Sequence, residues 1–242
     1  MQLKTAGILG GMGPGATIDF MSKVLRQTPA HSDQDHIRLL VDHNPQVPNR
    51  HAAINGKGED SGPHLARMAV GLEQAGADFL AMTCNTAHAF QQDIQNAVAV
   101  PFVSIVDEVV GALERRFPDK IQVGLMAAEG CLQAELYQPV LVAAGFQPVT
   151  WNARQLKEFM TLVYRIKLGD TGAEVRQKTA ALADLLVQGG AEVLVAACTE
   201  IPLVFGSQGS TVPLLDSTDV LVASIIDYSL GHKMLPGLTD QN

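Results

Sequence analysis

The amino-acid sequence predicts an α/β protein of two pseudo-symmetric domains, each a three-layer arrangement with a mainly parallel sheet between helices. Two observations predict this fold. Short apolar runs alternate with amphipathic helical patterns along most of the chain, an order typical of parallel sheets covered by helices on both faces. In addition, a stretch of the second half repeats a stretch of the first half residue by residue, which indicates two related structural units.

The predicted elements follow one another in α/β order. Apolar runs predict buried strands at Ala6–Leu9, Ile37–Val41, Phe79–Thr83, Phe102–Ile105, Gln122–Met126, Pro148–Trp151 and Val193–Ala197. Amphipathic patterns predict helices at Ala16–Arg26, Leu65–Gln74, Val106–Arg116, Leu132–Ala144 and Val175–Gln188, with a more apolar helix at Val220–Leu230. Since α/β proteins bind ligands at the carboxyl ends of their strands, the functional residues are expected in the loops that follow them.

The internal repeat aligns residues 68–86 with residues 182–200 at one constant offset. A weaker match joins 6–9 to 123–126. We therefore predict a first domain of residues 1–102 plus 214–242, in which the C-terminal helix returns to the first half, and a second domain of residues 103–213. The matched positions are Ala69 and Ala183, Leu72 and Leu186, Gln74 and Gln188, Gly76 and Gly190, Ala77 and Ala191, and Cys84 and Cys198.

Composition excludes several classes of function. The chain has 242 residues, of which 47% are apolar and 17% charged, with a net charge of −8; this is globular composition without the basic excess that nucleic acids or anionic membranes attract. The first residues lack the apolar segment of a signal peptide, and no apolar run is long enough to span a membrane. Three cysteines, an odd number, do not form a disulfide framework. A cytoplasmic protein is expected.

Two of the cysteines occupy equivalent positions of the repeat. Cys84 and Cys198 each follow a predicted strand and precede a predicted helix, where backbone N–H groups and the helix dipole lower the pKa of a thiol. Buried cysteines are often only core residues, and Cys131, which has no partner in the repeat, is assigned to packing. For the other two, a shared position at symmetry-related strand ends favours function. If the domains face each other, both thiols reach one interdomain cleft.

Two opposed thiols suit the inversion of a carbon stereocentre. One thiolate removes the proton from one face, and the thiol on the other side returns a proton to the opposite face. The negative charge that develops on the substrate needs hydrogen-bond donors in a site that excludes water. Backbone amides at Asn85 and Thr86, and at Thr199 and Glu200, are placed to supply them.

Four motifs resemble the aspartate/glutamate racemase family. They are "GILGGMGP" (7–14), "NPQVPNR" (44–50), "TCNTAH" (83–88) and "ACTEI" (197–201), in the order that the family has. The resemblance covers nearly the whole chain and implies a cofactor-independent racemase, a homodimer, with Cys84 and Cys198 as the catalytic pair. Within the family, Glu200 and Ile201 after the second cysteine resemble aspartate racemases more than glutamate racemases.

The same resemblance implies how a small acidic amino acid is bound. Arg50 matches the residue that binds the side-chain carboxylate, in line with the bidentate geometry of arginine with carboxylates, and Lys167 matches a second cation. Tyr164 lies three residues before Lys167, whereas the family more often has a tyrosine four residues before it. Glu200 either orients the substrate amino group or is an acid at the start of a helix. The remaining residues predicted to bind substrate are Met12, Gln46, Asn85, Thr86 and Thr199.

The segment that carries Arg50 is predicted to be a lid. Residues 42–63 are rich in proline, glycine and polar residues and have little periodicity. A long irregular segment in a compact domain is more often a binding loop than a simple connection. We expect it to close over the ligand and to bring Arg50 with it.

Three alternatives remain open from the residues alone. The loop at 11–16, "GMGPGA", fits a dinucleotide-binding pattern, with Asp42 as the ribose-binding acid of an NAD-dependent dehydrogenase. A zinc site at Cys84 and His88 lacks a further ligand pair, so no metal is expected, and His88 is expected to support the Cys84 thiol or to pack beneath it. The third alternative is a dicarboxylate-binding protein without catalysis.

Overall fold

The computed structural model describes residues 3–237 of the chain. The strands are β1 (Ala6–Gly10), β2 (Leu39–His43), β3 (Phe79–Met82), β4 (Phe102–Val103), β5 (Gln122–Leu125), β6 (Gln147–Val149), β7 (Val193–Ala196) and β8 (Leu214–Asp216). The helices are α1 (Pro14–Gln27), α2 (Arg50–Ile54), α3 (Gly62–Gln74), α4 (Gln91–Ala97), α5 (Ile105–Arg116), α6 (Glu129–Gln133), α7 (Gln138–Ala143), α8 (Ala153–Lys167), α9 (Ala173–Gln188) and α10 (Ser217–Leu230).

The strands form two parallel four-stranded sheets with the same order. The first sheet is β2-β1-β3-β4 and the second is β6-β5-β7-β8, and every neighbouring pair is parallel. Parallel sheets need helices on both faces, and each sheet has them. The prediction of a two-domain α/β fold with parallel sheets is confirmed.

The repeat extends to individual packing contacts. Gly7 in β1 and Gly124 in β5 occupy the same environment: a Cβ on either glycine would lie 2.5 Å from a leucine Cδ2, that of Leu80 and Leu194 respectively. Each glycine therefore lets the helix–strand connection of its own domain lie directly on the sheet. Two domains that share contacts of this kind have the same local geometry as well as the same strand order.

A central hydrophobic cluster joins the two sheets. It contains side chains from β1 and β3 of the first sheet, from β5 and β7 of the second, and from α5 and α10, which pack against each other between them. Glu108 of α5 is buried there and accepts hydrogen bonds of 2.6 Å each from Ser224, Tyr228 and Lys233. The buried carboxylate is thus fully paired, as a stable core requires.

The C-terminal part of the chain differs from the predicted division. The strand Leu214–Asp216 pairs with β7 of the second sheet, whereas residues from 214 onward were predicted to belong to the first domain. The strand is only three residues long and follows Pro213, so its apolar pattern is too short to read from sequence. The helix α10 does pack against α1 of the first domain. Residues 1–2 and 238–242 of the predicted first domain lie outside the described residues.

Three other segments differ from the sequence prediction. The predicted helix Leu132–Ala144 is two short helices, α6 and α7, separated where Glu135 adopts φ 50°. The helix α8 was not predicted, although Asn152 and Gln155 form a capping box at its start. Residues 42–63 contain the short helix α2, so this segment is not irregular throughout. Asn49 caps α2 by accepting hydrogen bonds from the backbone of residues 51 and 52.

None of the helices in residues 3–237 is long and apolar enough to cross a membrane.

Candidate active site

A narrow cavity lies between the two domains at the carboxyl ends of the strands. Its free volume is about 20 Å³, room for about one water molecule, so the structure represents a closed site. The first domain contributes Met12, Arg50, His51, Cys84, Asn85 and Thr86; the second contributes Ala128, Val163, Lys167, Cys198, Thr199 and Glu200. This cavity brings together the predicted catalytic pair and all but one of the residues predicted to bind substrate.

The two thiols enter the cavity from equivalent strand ends. Cys84 follows β3 and Cys198 follows β7, and each is 6% exposed. The strand ends lead into short 3-10 turns, Thr86–Phe90 and Ile201–Leu203, rather than into long α-helices. The positions of the cysteines agree with the repeat, but the helix dipole expected beside each thiol is that of a single turn.

Cys198 is part of a buried chain of polar contacts. Its Sγ donates to Glu200 Oε2 at 3.1 Å, and Glu200 Oε1 accepts a hydrogen bond of 2.6 Å from Lys167 Nζ. The Glu200 side chain is almost fully buried, and the Lys167 side chain is mostly buried. Lys167 Nζ also lies 3.5 Å from the backbone carbonyl of Met12. Charge on the second thiol is therefore controlled by an ion pair in direct contact with it.

The expected lowering of the thiol pKa is wrong for Cys198. Burial raises the pKa of this thiol well above its ordinary value, the negative charge of Glu200 raises it further, and Lys167 only partly opposes them. Burial by itself lowers the pKa of Lys167, but Glu200 and the two cysteines nearby outweigh burial, and the pKa of Lys167 is raised. Lys167 is thus a permanent cation, and Cys198 is a protonated thiol at neutral pH.

Three backbone N–H groups of the cavity wall have no acceptor in the described part of the protein. Within residues 3–237, the amides of Asn85, Thr86 and Thr199 donate no hydrogen bond to protein atoms. Asn85 itself is held rigidly, because its side chain accepts from Tyr137 OH at 2.5 Å and donates to Ser217 Oγ at 3.1 Å. Unpaired amides beside two thiols can stabilise negative charge on a bound carboxylate.

Arg50 is in the cavity wall at the first position of α2. Its Nη1 donates to the backbone carbonyls of Val47 and Pro48 at 3.0 and 2.9 Å, which fixes the guanidinium, and none of the described carboxylates forms an ion pair with it. The segment before α3 is tied back by Ser61, whose hydroxyl donates to the Pro48 carbonyl at 3.1 Å. A fixed cation without a counter-ion is suited to bind a carboxylate.

Two residues singled out from the sequence lie outside the cavity. Gln46 is exposed in the turn after β2, where its backbone N–H donates to Asn44 Oδ1 at 3.0 Å, and it is absent from the cavity wall. Its prediction as a substrate-binding residue is not supported in this closed arrangement. Tyr164 is 44% exposed on α8. It directly follows Val163 and is turned about 100° from it around the helix, whereas Val163 and Lys167, four residues apart, both line the cavity.

His88 and Cys131 have structural positions. His88 Nε2 accepts from the backbone N–H of Ile105 at 3.1 Å, and Nδ1 lies 2.9 Å from the carbonyl of Cys84. Burial lowers the pKa of His88 to about 4, so the neutral ring links the end of β3 to the start of α5. It supports the backbone of Cys84 rather than its thiol. Cys131 is buried in the central hydrophobic cluster, as predicted.

Three residues of the cavity wall were not predicted: His51, Ala128 and Val163. The last two are ordinary apolar residues, and nothing in the sequence distinguishes them. His51 could have been found from its position directly after Arg50. Burial lowers the pKa of His51 to about 4, with smaller contributions from Arg50 and Lys167, so its imidazole is neutral.

The glycine loop after β1 supports the ion pair of the second domain. A Cβ at Gly13 would stand 2.7 Å from Glu200 Oε1 and 3.3 Å from Lys167 Nζ. The space next to this loop is therefore filled by the two charged side chains. Among the described residues, no group of three or more histidine, cysteine or acidic side chains is arranged to hold a metal ion.

Comparison with known proteins decides between the alternatives. Residues 9–225 match the model of the Asp/Glu/hydantoin racemase family. The chain belongs to this family. The racemase is 30% identical over 234 residues to the broad specificity amino-acid racemase RacX of Bacillus subtilis (strain 168). This alignment covers 94% of this chain and 99% of RacX. It is an amino-acid racemase, and the glycine loop is not evidence for a dehydrogenase.

Solved structures agree with this assignment. The aspartate racemase of Picrophilus torridus superimposes on the racemase with a TM-score of 0.82 at 26% identity and covers 96% of both chains. The glutamate racemase isoform RacE1 of Bacillus anthracis superimposes with a TM-score of 0.71 at 20% identity and covers 98% of this chain and 85% of RacE1. The second likeness shows the shared two-domain fold.

Proposed function

We propose that this racemase interconverts L- and D-aspartate, with glutamate as the second candidate, by a cofactor-independent two-base mechanism. The observation that carries the proposal is the placement of Cys84 and Cys198, one from each domain, in the wall of one closed cavity that also contains Arg50, Lys167 and Glu200. A base on one face and an acid on the other are what stereochemical inversion at carbon requires.

In the proposed reaction the two sulfur atoms exchange roles. With one enantiomer, Cys84 as thiolate takes the α-proton and the Cys198 thiol gives its proton to the opposite face of the carbon. With the other enantiomer, Cys198 is the thiolate and Cys84 the thiol. Glu200, which accepts the Cys198 S–H at 3.1 Å, orients this thiol and provides a route for its proton. Lys167 stabilises negative charge on either sulfur.

The substrate carboxylates have separate partners in this proposal. The α-carboxylate lies against the amides of Asn85, Thr86 and Thr199, where the charge that develops as the α-proton leaves is stabilised. The side-chain carboxylate pairs with Arg50, and Glu200 faces the substrate amino group. Because Lys167 and Glu200 already neutralise each other, Arg50 is the cation of the cavity wall that remains to pair with a substrate carboxylate. An acidic amino acid, which has a second carboxylate ionised at neutral pH, supplies that partner.

A second candidate function is racemisation of a broader set of amino acids. The likeness to RacX, which is named for its broad specificity, favours this candidate. The charges of the cavity favour the acidic substrate, because a second carboxylate gives the half-buried Arg50 the counter-ion that it lacks. Aspartate and asparagine have nearly the same shape and differ in this charge, so a comparison of the two separates the candidates.

Chiral chromatography tests the proposal on the purified protein. Each enantiomer of aspartate, glutamate and asparagine is incubated in D₂O, and the product and the recovered substrate are analysed for deuterium at the α-carbon. We expect both aspartate enantiomers to be converted, with kcat/KM at least about tenfold above that for asparagine. Early in the reaction, deuterium should enter the product and be nearly absent from the recovered substrate.

Other outcomes contradict the proposal in distinct ways. Equal deuterium in product and recovered substrate would mean that one base serves both faces. Asparagine converted as well as aspartate would favour the broad-specificity candidate. Binding of aspartate without any exchange of its α-proton would identify a binding protein that lacks catalysis.

A further inference from the structure

His51 is a cavity residue without a role in the mechanism above. It lies in the first turn of α2, immediately after Arg50, and lines the same cavity as the two thiols. Its backbone N–H donates to Asn49 Oδ1 at 3.0 Å, so the backbone at this position is fixed by the helix cap. The side chain is half-buried and reaches across to the second domain.

The hydrogen bond to the second domain defines the tautomer. The backbone N–H of Gly130 lies 3.0 Å from His51 Nδ1. Because an amide N–H can only donate, Nδ1 is the unprotonated acceptor, and in a neutral imidazole the proton is then on Nε2. Within residues 3–237, His51 Nε2 forms no hydrogen bond with a protein atom. The ring thus carries one N–H donor that remains available beside the cavity.

The ring orientation depends on a glycine. A Cβ at Gly130 would lie 2.7 Å from His51 Nδ1, so a larger residue would push the imidazole away from the backbone. Gly130 lies in α6, which packs against α2 across the cleft. The contact therefore forms only while α2 is seated against the second domain, and it holds the imidazole in one orientation.

Among the donors of the cavity wall, His51 is the one beside Arg50 that adds no charge. A protonated imidazole would be repelled by Arg50 and Lys167, whereas a neutral N–H can donate to the anion that Arg50 attracts. Lys167 is occupied by Glu200 at 2.6 Å. We propose that His51 Nε2–H donates a hydrogen bond to the side-chain carboxylate of the bound acidic amino acid, beside Arg50, and so contributes to the choice of substrate. This inference rests on the proposed function.

Two conservative variants test the roles of the two ring nitrogen atoms of His51 separately. His51→Asn keeps a short acceptor where Nδ1 is and removes the donor at the position of Nε2. His51→Gln keeps an N–H donor near the position of Nε2 and gives up the short acceptor. If His51 only holds α2 against α6, Asn is the better replacement; if the donor binds substrate, Gln is the better one.

Calorimetry with racemic aspartate measures the Kd of each variant without net turnover. Alanine, which lacks a side-chain carboxylate, is the control ligand. Because a hydrogen bond to a charged group is involved, we expect His51→Asn to raise the Kd for aspartate roughly tenfold to a hundredfold, and His51→Gln to recover most of it. The Kd for alanine should stay the same in both variants. KM for aspartate should rise in parallel, with a much smaller change in kcat.

Several results would overturn the inference. An unchanged Kd for aspartate in a folded His51→Asn variant would remove the residue from substrate binding. An equal loss for aspartate and alanine, or a better rescue by Asn than by Gln, would assign His51 to the α2–α6 contact alone. If the two variants change the Kd for aspartate as expected but the wild type does not racemise aspartate, the proposed reaction fails while the role of His51 stands.

Discussion

The two strand ends that carry the cysteines occupy equivalent positions in the two sheets and differ in chemistry. Cys84, Asn85 and Thr86 follow β3, and the repeat aligns them one by one with Cys198, Thr199 and Glu200 after β7. Both triplets are buried and line one cavity. Only the second triplet contains a carboxylate, which contacts its own thiol and a lysine; the first has a threonine at that position.

This difference shows what the repeat supplies and what divergence adds. The repeated fold places two thiols at matching positions, which is the symmetric requirement for a reaction that runs both ways. The position occupied by Thr86 in one half and Glu200 in the other makes the environments of the thiols unequal. The pKa of Cys198 is raised by burial and by Glu200, so the two sulfur atoms of the proposed mechanism exchange roles in unequal environments.

Removal of either thiol is expected to have the largest effect on activity, because it deletes one of the two groups being compared. We expect Cys84→Ala and Cys198→Ala each to lower kcat/KM for aspartate by roughly 10²–10⁴-fold, since each deletes a proton-transferring group. Chiral chromatography of the product measures the loss. Cys131→Ala is the matched control, because Cys131 is equally buried but lies in the central hydrophobic cluster. Full activity in either active-site variant would refute the two-thiol mechanism.

Loss of the Glu200 charge removes the asymmetry itself. Glu200→Gln keeps the shape of the side chain and should lower kcat/KM roughly tenfold to a hundredfold, as expected for a hydrogen-bonded charge. Because the equilibrium constant of racemisation is one, kcat/KM must fall equally in both directions, so unequal effects should appear in kcat and KM separately. Glu158→Gln, an exposed change on α8, is the control. Equal kcat changes for both enantiomers would contradict a role confined to Cys198.

The pH dependence should move in opposite directions when the two charges around Cys198 are removed. Glu200 raises the pKa of Cys198 and Lys167 lowers it. Activity needs one thiol to keep its proton, so the alkaline limb of kcat/KM should shift to lower pH in Glu200→Gln and to higher pH in Lys167→Met. Measured pH–rate profiles of both variants test this. Shifts of the same sign would show that Cys198 does not determine that limb.

The packing symmetry predicts a smaller effect that should be equal in both domains. A Cβ at Gly7 or Gly124 would lie 2.5 Å from a leucine methyl group, so Gly7→Ala and Gly124→Ala should each lower the free energy of unfolding by about 1–3 kcal/mol. Gly71→Ala in α3, where a Cβ would meet nothing within 4 Å, should instead stabilise slightly. Thermal melting of the three variants compares them. Clearly unequal losses for Gly7 and Gly124 would show that the domains differ in rigidity.

Much of the fold could be predicted because both halves of the chain show the same succession of apolar and amphipathic segments. Both parallel sheets and the positions of their central strands follow from alternating apolar and amphipathic runs. The three-residue strand β8 did not follow, since so short a run has no periodicity to detect. The division of the predicted helix Leu132–Ala144 could have been predicted from Pro139, which lies in the first turn of α7, because proline is not tolerated in the interior of a helix. The helix α8 could have been predicted from its capping box at Asn152 and Gln155.

The site was predictable in its members more than in its electrostatics. The motifs gave both cysteines, Arg50, Lys167 and Glu200, all of which line the cavity. The direction of the Cys198 pKa did not follow from sequence, because it depends on burial and on which way the Glu200 carboxylate turns. The hydrogen bond between His51 and Gly130 joins residues far apart in the chain, and no local pattern encodes it.

The central hydrophobic cluster that joins both sheets limits how an amino acid can enter and leave the cavity. Helices α5 and α10 belong to this shared core, so the domains cannot swing apart without exposing apolar surface, yet the cavity has room for little more than a water molecule. We therefore expect an amino acid to enter past the small piece around α2, which meets the second domain through the hydrogen bond from Gly130 to His51. We expect admission and release through this piece to limit how fast the enzyme can work.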